Sequence, residues 1–176
     1  IFPHSLGEFT MLVNTVMFLI QAALLGKAFG KVQLLQLPAA LLFSACIDGW
    51  MYILGFWKTG SYVGQVLMLL LGCVFLGLGI AFEVIPNVLI LPGEGLVRVI
   101  AGLTGWRFGL VKTGFDMSIV ASAVGVSLFF TGHVLGIREG TVLAALIVGS
   151  ISHFFIEKVS NVLEGWIPDY SDAGDA

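Results

Sequence analysis

Five long apolar runs constrain this chain more than any other feature of its sequence. They cover approximately residues 9–26, 34–56, 62–82, 115–135 and 141–156, and the only charged residues inside them are Asp48 and Asp116. A helix that crosses the hydrocarbon of a bilayer needs roughly 17–25 predominantly apolar residues. Strand-like alternation is absent, and lipid offers no partner for exposed backbone groups, so helices are predicted. The expected fold is an all-α, polytopic transmembrane helix bundle.

Composition supports the same environment. The chain is 58% hydrophobic and 11% charged, and its mean hydropathy is +1.03. A soluble domain usually carries about 25% charged residues, because its surface faces water. A lipid bilayer is therefore the expected partner. The net charge of −3, with eight Lys and Arg residues, argues against nucleic acid as a partner, since phosphate neutralisation needs a basic face. A homo-oligomer is compatible with this composition.

The sequence contains no signature of a cofactor, a metal site or a common enzyme. Cys46 and Cys73 lie inside apolar runs, and the three histidines are not spaced as a metal triad. A phosphate-binding loop, HExxH, CxxC and the nucleophile elbow are all absent from the sequence. We therefore expect neither cofactor nor metal, and a protein that is not an enzyme. An intramembrane enzyme, a less favoured reading, would need Asp48 with His153.

One connection is unlike the others. Residues 83–114 contain two prolines and several glycines, with an amphipathic helix expected near 94–103. This segment is too broken to span and too apolar for a free loop, which predicts half-buried or re-entrant backbone. If it enters the bundle, Glu83, Asn87 and Glu94 would contribute to a polar, substrate-binding cup. The alternative is a surface-lying stretch in which Glu94 pairs with Arg98 and faces water.

Basic residues predict the orientation of the helices. One set of loops contains six of them: Lys27, Lys31, Arg98, Arg107, Lys112 and Lys158. The opposite side contains two, Lys58 and Arg138. The side with six should be cytoplasmic, which also places the C-terminus, with the acidic tail 161–176, in the cytoplasm.

The first two runs align weakly with the last two. Gly7 falls on Gly109 and Asn14 on Asp116, and after a short insertion Asp48 falls on His153. The chain opens at Ile1 without a methionine, so we expect a missing first helix and six spans in full length. The plan would then be two halves of three helices, residues 1–56 and 57–160. An odd number of spans per half inverts one half relative to the other, an arrangement common in transporters.

Several of these residues also resemble a known family. They are residues 77–83 (GLGIAFE), the Pro/Gly-rich segment after them, residues 104–109 (TGWRFG), Lys112 with Asp116, Gly140-Thr141, and Asn14, Gln21, Gln36 and Asp48. Together they resemble the YczE/YyaS/YitT-type bacterial integral membrane proteins. The resemblance implies a multi-pass protein of the bacterial inner membrane, presumed to transport something. It implies no substrate and no catalytic residue.

Asp48 and His153 are the first candidates for a substrate site, because an ionisable side chain inside a bilayer is costly. Facing one another between the halves, they would form a proton-accepting pair or bind a polar substrate. Alternatively, each caps or hydrogen-bonds a neighbouring helix, or Asp48 reaches the outer headgroups.

Three further polar residues are candidates on their helices. Asn14 and Gln21 share one helical face, where they either line a pore or join helices by hydrogen bonds. Asp116 lies one turn after Lys112, which favours a local ion pair.

The sequence predicts a small permease or secondary carrier for a small polar metabolite, with a central polar site between two halves. The alternative is an accessory or structural membrane protein that binds a partner protein and transports nothing. A carrier requires a polar, water-reachable cavity, whereas an accessory protein would have a dry centre in which each polar side chain is satisfied by its neighbours.

Overall fold

The computed structural model describes residues 5–56, 60–86, 88–134 and 136–164, with side chains as far as residue 160. These residues form six α-helices: α1 (Leu6–Leu25), α2 (Gln36–Leu54), α3 (Tyr62–Val84), α4 (Pro92–Thr104), α5 (Phe108–Thr131) and α6 (Glu139–Glu164). Two 3₁₀ helices, Gly26–Ala28 and Lys31–Leu35, connect α1 to α2. The all-α prediction is confirmed for the described part of the chain.

Five of these helices, all except α4, are long and apolar enough to cross a membrane. Two of them are longer than the apolar runs indicated. The helix α5 begins at Phe108 rather than near residue 115, and α6 runs from Glu139 to Glu164, past the expected start of the tail at residue 161. The charge of Lys112 does not end α5, because this side chain is buried and paired inside the bundle.

Local signals fix several helix ends. The Oγ atom of Ser5 accepts a hydrogen bond from the Glu8 backbone, and the Glu8 carboxylate accepts one from the Ser5 backbone, which forms a capping box at α1. Pro92 opens α4, where its missing N–H is not needed. Gly105 follows α4 with φ of 70°, a left-handed conformation that ends a helix at little cost for glycine.

The second half of the chain packs around α6. This helix runs parallel to α3, since Leu69 lies near Gly140 and Gly77 near Ile151, and antiparallel to α5. Cys73 and Ile80 of α3 and Val148 of α6 form its buried apolar core. Few of the described side chains are as buried as these, and many large apolar ones lie fully on the outside, such as Tyr52 at 90% and Phe129 at 84% exposure. A lipid surrounding accommodates such a surface.

The helix α4 is a short element inserted between the longer ones. Its 13 residues reach about 20 Å at 1.5 Å per residue, which is too short for a bilayer core. Pro92 and residues 95–97 near its N-terminal end are buried, whereas Gly102 to Thr104 are exposed. It packs between α1 and α5. The predicted broken segment is thus a half-length helix whose first turns lie inside the bundle.

Candidate functional site

A cavity of about 520 Å³ lies between α4 and the end of α1. The C-terminal part of α1, the 3₁₀ connection, the start of α2 and the segment before α4 complete its walls. Its volume falls within the range typical of small-molecule sites, and most of its lining is aliphatic. The polar side chains that line it are Gln21, Gln33, Gln36 and Arg98.

Two of these glutamines are almost fully buried. Gln21 is 3% and Gln36 is 4% exposed, and neither carbonyl oxygen accepts a hydrogen bond within the described part of the chain. A buried acceptor without a donor costs about 1–3 kcal/mol, so proteins seldom retain one without a reason. Both oxygens are themselves fully buried, so a ligand with N–H or O–H groups would satisfy them only after the amide groups turn toward the cavity.

The side chain of Gln21 lies over the backbone of α4 at Gly95. A Cβ atom at position 95 would lie only 2.9 Å from Oε1 of Gln21 and 3.1 Å from its Nε2. Three residues further along α4, Arg98 lines the same cavity, and its Nη1 donates to the Val84 carbonyl at 3.4 Å. One face of α4 therefore supplies both the space for a buried amide and a positive charge.

A cluster of charged side chains lies at the N-terminal end of α4. Lys112 of α5 is 8% exposed, and its Nζ lies 3.3 Å from Oε1 of Glu94 and 3.0 Å from Oδ1 of Asp116. The predicted Lys112–Asp116 pair is present. Glu94 pairs with Lys112 across two helices, in place of the water-facing pair with Arg98 that the alternative reading described.

Glu83 completes this cluster from α3. Its carboxylate accepts a hydrogen bond from the backbone N–H of Leu91, the residue that precedes α4. It also interacts electrostatically with Glu94 and Lys112. Three carboxylates and one ammonium group from three helices thus surround the first turn of α4, where the helix dipole favours negative charge. Asn87, the other residue predicted for this cup, lies outside the described residues.

Asn14 faces the same turn from α1. The side chain is 8% exposed, its Nδ2 donates to the Thr10 carbonyl at 3.0 Å, and its Oδ1 would lie 3.9 Å from a Cβ atom placed at Gly93. Gln21 lies two turns further along the same face. The predicted Asn14–Gln21 face therefore packs on α4, and only Gln21 reaches the cavity lining.

Asp48 is engaged at the start of α1. Its Oδ1 accepts a hydrogen bond from the Gly7 backbone at 2.8 Å, and its Oδ2 accepts one from Ser5 Oγ at 2.6 Å. The carboxylate thus satisfies two donors at a helix N-terminus, as a capping residue does. This arrangement corresponds to the structural alternative for Asp48.

His153 lies elsewhere in the bundle, in the pair formed by α5 and α6. Its Nε2 is 3.4 Å from Oε1 of Glu157, and its Cβ atom would lie 2.8 Å from a Cβ atom placed at Gly109. Among the described residues, α2 and α6 are not a packed helix pair. The expected meeting of Asp48 and His153 in one central site is therefore absent from this arrangement, because each side chain is held within its own helix pair.

Sequence reasoning did not select Gln33, Gln36 or Arg98 as site residues. In the sequence, Gln36 contributes only to the family resemblance, and Arg98 only to the orientation and as a partner for Glu94. The sequence does contain one indication of this site, because the glutamines Gln21 and Gln36 flank the connection between α1 and α2. That the two amides meet α4 depends on a contact between distant parts of the chain, which no local pattern encodes.

Two comparisons with known proteins give matches. A family described as "Family of unknown function (DUF6198)" matches residues 1–157. The uncharacterized membrane protein YczE of Bacillus subtilis (strain 168) is 26% identical over 162 residues, which cover 92% of this chain and 70% of that protein. No solved structure matches the chain. The resemblance to YczE-type membrane proteins is confirmed.

Proposed function

We propose that this chain, which belongs to the DUF6198 family of membrane proteins, is a carrier for a small polar solute rather than an enzyme. Its solute site is the cavity between α1 and α4. The observation that supports this proposal best is the pair of buried glutamine side chains, Gln21 and Gln36, whose carbonyl oxygens accept no hydrogen bond within the described residues. A site that binds and releases a polar solute needs such groups, whereas a purely structural packing gains nothing from them.

The broken segment supports a carrier as well. Many secondary transporters bind their substrates where a helix is discontinuous, because the freed backbone and the helix end add polar groups inside the membrane. Here α4 begins inside the bundle, and its first turn is surrounded by Glu83, Glu94 and Lys112. The cavity lies along the same helix, at Gly95 and Arg98. Solute binding in the cavity and the ion pairs of the charged cluster would therefore both involve the helix α4.

A second support is the correspondence between two helix crossings. A Cβ atom at Gly7 would meet the Ser44 carbonyl and the Asp48 carboxylate, and one at Gly109 would meet the Gly149 carbonyl and His153. The weak internal alignment pairs Gly7 with Gly109 and Asp48 with His153. Similar crossings at aligned positions favour two related halves, and inverted halves provide a route to alternating access.

We further propose that the protein lies in the bacterial inner membrane with its C-terminus in the cytoplasm. The distribution of basic residues supports this orientation. The cavity includes residues of the connection that carries Lys27 and Lys31, so it would lie toward the cytoplasmic side.

An accessory role without transport is the second candidate. The observation in its favour is that Asp48 and Lys112 are satisfied by protein groups, as expected for polar residues that join helices. The cavity distinguishes the two functions. A carrier binds a solute in the cavity, whereas a protein that only binds a partner protein has no need of a solute site.

The experiment is thermal unfolding of the detergent-purified protein with a panel of amino acids, vitamins, nucleobases and organic ions. A solute at a hundred times its Kd should stabilise the fold by about 2.7 kcal/mol. We expect one class of solute to raise Tm, and Gln21→Met to abolish that rise. The matched control is Gln65→Met, because Gln65 is an exposed glutamine of α3 that lies outside the cavity. A flat response of a folded protein across the panel would favour the accessory role.

A further inference from the structure

The charged cluster at the first turn of α4 does not balance its own charge. Among the described residues it contains three carboxylates, on Glu83, Glu94 and Asp116, and one ammonium group, on Lys112. The side chains of Lys112, Glu94 and Asp116 are only 11%, 16% and 20% exposed. The N-terminus of α4 adds the equivalent of roughly half a positive charge. With every carboxylate ionised, more than one negative charge would therefore lie uncompensated where charge is costly.

Glu83 is the carboxylate of this cluster that has no cation of its own. The Nζ of Lys112 lies 3.3 Å from Glu94 and 3.0 Å from Asp116, but Glu83 forms no ion pair with the described residues. Its one hydrogen bond comes from the Leu91 N–H. Partial burial and the carboxylate of Glu94 both act against a negative charge on Glu83. A proton entering the cluster would therefore bind at Glu83.

The other charged side chains of the neighbouring helices do not compensate Glu83. On α4, Arg98 donates to a backbone carbonyl at the end of α3. On α6, which packs along α3, the titratable residues of the corresponding stretch are His153, Glu157 and Lys158, and His153 pairs with Glu157 at 3.4 Å. Within the described residues, none of these four groups pairs with the Glu83 carboxylate.

A second group at the first turn of α4 has no donor. Asn14 is 8% exposed, and its Oδ1, which faces Gly93, accepts no hydrogen bond from the described residues. Those residues contain no group of three or more carboxylate, thiol or imidazole side chains that could hold a metal ion. A proton on a carboxylate removes one charge and turns an acceptor into an O–H donor. It therefore reduces both the excess charge and the shortage of donors at this turn.

Glu83 also holds the segment that leads into α4. The Leu91 N–H donates to its carboxylate, and the Leu91 carbonyl accepts a hydrogen bond from the Gly95 N–H at 2.7 Å. Leu89, Ile90 and Gly95 line the cavity. An ionised carboxylate accepts a stronger hydrogen bond than a neutral carboxylic acid, so a proton on Glu83 would weaken this attachment. The charge of Glu83 is thus connected to one wall of the cavity.

We propose that Glu83 is a proton-binding site, and that its proton loosens the attachment of α4 beside the cavity. The proton comes from water and converts the carboxylate to a neutral carboxylic acid. In one respect the inference rests on the proposed function, because it makes the proton the coupling ion of the carrier. A solute that binds better to one position of α4 would then take up or release a proton as it binds.

Infrared difference spectroscopy of the detergent-purified full chain tests the proton site, because the C=O stretch of a carboxylic acid is distinct from the bands of a carboxylate. At about pH 6, exposed glutamates are ionised. We expect the wild type to show a carboxylic acid band at this pH and Glu83→Gln to lose it. Glu139→Gln is the matched control, because Glu139 is an exposed glutamate of α6, and it should leave the band unchanged.

Glu94→Gln provides a second variant if Glu83→Gln does not fold. It leaves Glu83 in place and removes a neighbouring negative charge, so the band should disappear at a lower pH than in the wild type. Absence of the band from the folded wild type would overturn the inference. So would a band that survives Glu83→Gln, or one whose pH dependence is unaffected by Glu94→Gln.

Amide hydrogen exchange measured by mass spectrometry tests the link to α4. Wild type and Glu83→Gln are compared at the same pH, so the intrinsic pH dependence of exchange cancels. At alkaline pH, residues 88–96 should exchange about fivefold more slowly in the wild type, since a charge-assisted hydrogen bond is roughly twice as strong as a neutral one. At about pH 6, where wild-type Glu83 holds its proton while exposed glutamates are ionised, the difference should shrink. Equal exchange at alkaline pH would contradict the link.

Neither measurement uses a solute, so failure of this inference differs from failure of the proposed function. A Glu83-dependent band together with a flat response to the solute panel would leave the proton site and remove the carrier function. A solute-induced rise in Tm without any carboxylic acid band would leave the carrier function and remove the proton site.

Discussion

The two buried glutamines differ from the charged intramembrane residues in what surrounds them. Asp48 accepts hydrogen bonds from Ser5 and Gly7, and Lys112 contacts two carboxylates. These side chains join helices and are already satisfied. The carbonyl oxygens of Gln21 and Gln36 accept nothing from the described residues. The Ser44 hydroxyl is also buried without a partner among the described residues, but Ser44 does not line the cavity. At the scale of single residues, unsatisfied burial beside the cavity, rather than charge, identifies the candidate site.

Replacing Gly95 with alanine tests the position of Gln21. The new Cβ atom would lie 2.9 Å from Oε1 of Gln21, so the amide must move while the α4 backbone stays in place. We expect a loss of about 1 kcal/mol or less in stability and a clear loss of solute binding. Gly125→Ala on α5 is the control, because Gly125 does not line the cavity and a Cβ atom there meets nothing within 4 Å. Thermal unfolding with and without solute measures both effects, and equal binding by the two variants would contradict the placement of Gln21.

Asp48→Asn tests the structural role of Asp48. The amide retains one acceptor of two, so the start of α1 loses a charge-assisted hydrogen bond from Ser5 or Gly7. We expect a loss of roughly 1–2 kcal/mol in stability and an unchanged ligand-induced rise in Tm. An unchanged stability with a lost ligand response would instead place Asp48 in the solute site.

At the scale of elements, α4 is the helix on which the site depends. It contributes Gly95 and Arg98 to the cavity and Glu94 to the charged cluster. Its first turn lies between α1 and α5, and its last turn is exposed. A rotation or shift of α4 would therefore change the cavity and the Lys112 pairs together.

Lys112→Met tests the attachment of α4 to α5. Without the ammonium group, the carboxylates of Glu94 and Asp116 lose their shared counter-charge in a largely buried place. We expect a destabilisation of roughly 3–5 kcal/mol, as for one partner of a buried pair, measured by thermal unfolding in detergent. Adding Glu94→Gln should recover part of this loss. As control, Arg138→Met removes an exposed pair with Glu139 and should change stability by about 0.5 kcal/mol or less.

The apolar runs were sufficient to predict the five long helices, and the prolines and glycines of residues 83–114 to predict the short one. Both are local properties of the sequence. The apolar pattern places the start of α5 too late, because the charge of Lys112 indicates a loop and the burial of this residue depends on Glu94, 18 positions earlier. Local patterns do not reveal the cavity for the same reason: Gln21, Gln36 and Arg98 come together only through the packing of α4.

At the scale of the whole molecule, two crossings of helix pairs organise the bundle. The helices α1 and α2 cross at Gly7, and α5 and α6 cross at Gly109. The aligned residues Asn14 and Asp116 both lie near the first turn of α4. Asn14 faces Gly93, and Asp116 pairs with Lys112, which also contacts Glu94. In the proposed plan of inverted halves, α4 lies at the boundary between them.

The proposed orientation predicts the position of both membrane sides. A reporter that is active only in the cytoplasm should be active when fused after the C-terminus, and a reporter that needs the periplasm should be inactive there. Fusions after Arg138, in the connection between α5 and α6, should give the opposite result. Activity of the periplasmic reporter at the C-terminus would invert the orientation and place the cavity toward the outer side.

Solute exchange in proteoliposomes tests the central claim, that Gln21 and Gln36 line a site through which a small polar solute crosses. Vesicles with the protein are loaded with the unlabelled solute that raises Tm, and the uptake of the labelled solute is measured beside Gln21→Met, Gln65→Met and empty vesicles. The account predicts uptake above empty vesicles that Gln21→Met reduces at least tenfold and Gln65→Met leaves unchanged. Equal uptake by the wild type and Gln21→Met would contradict it.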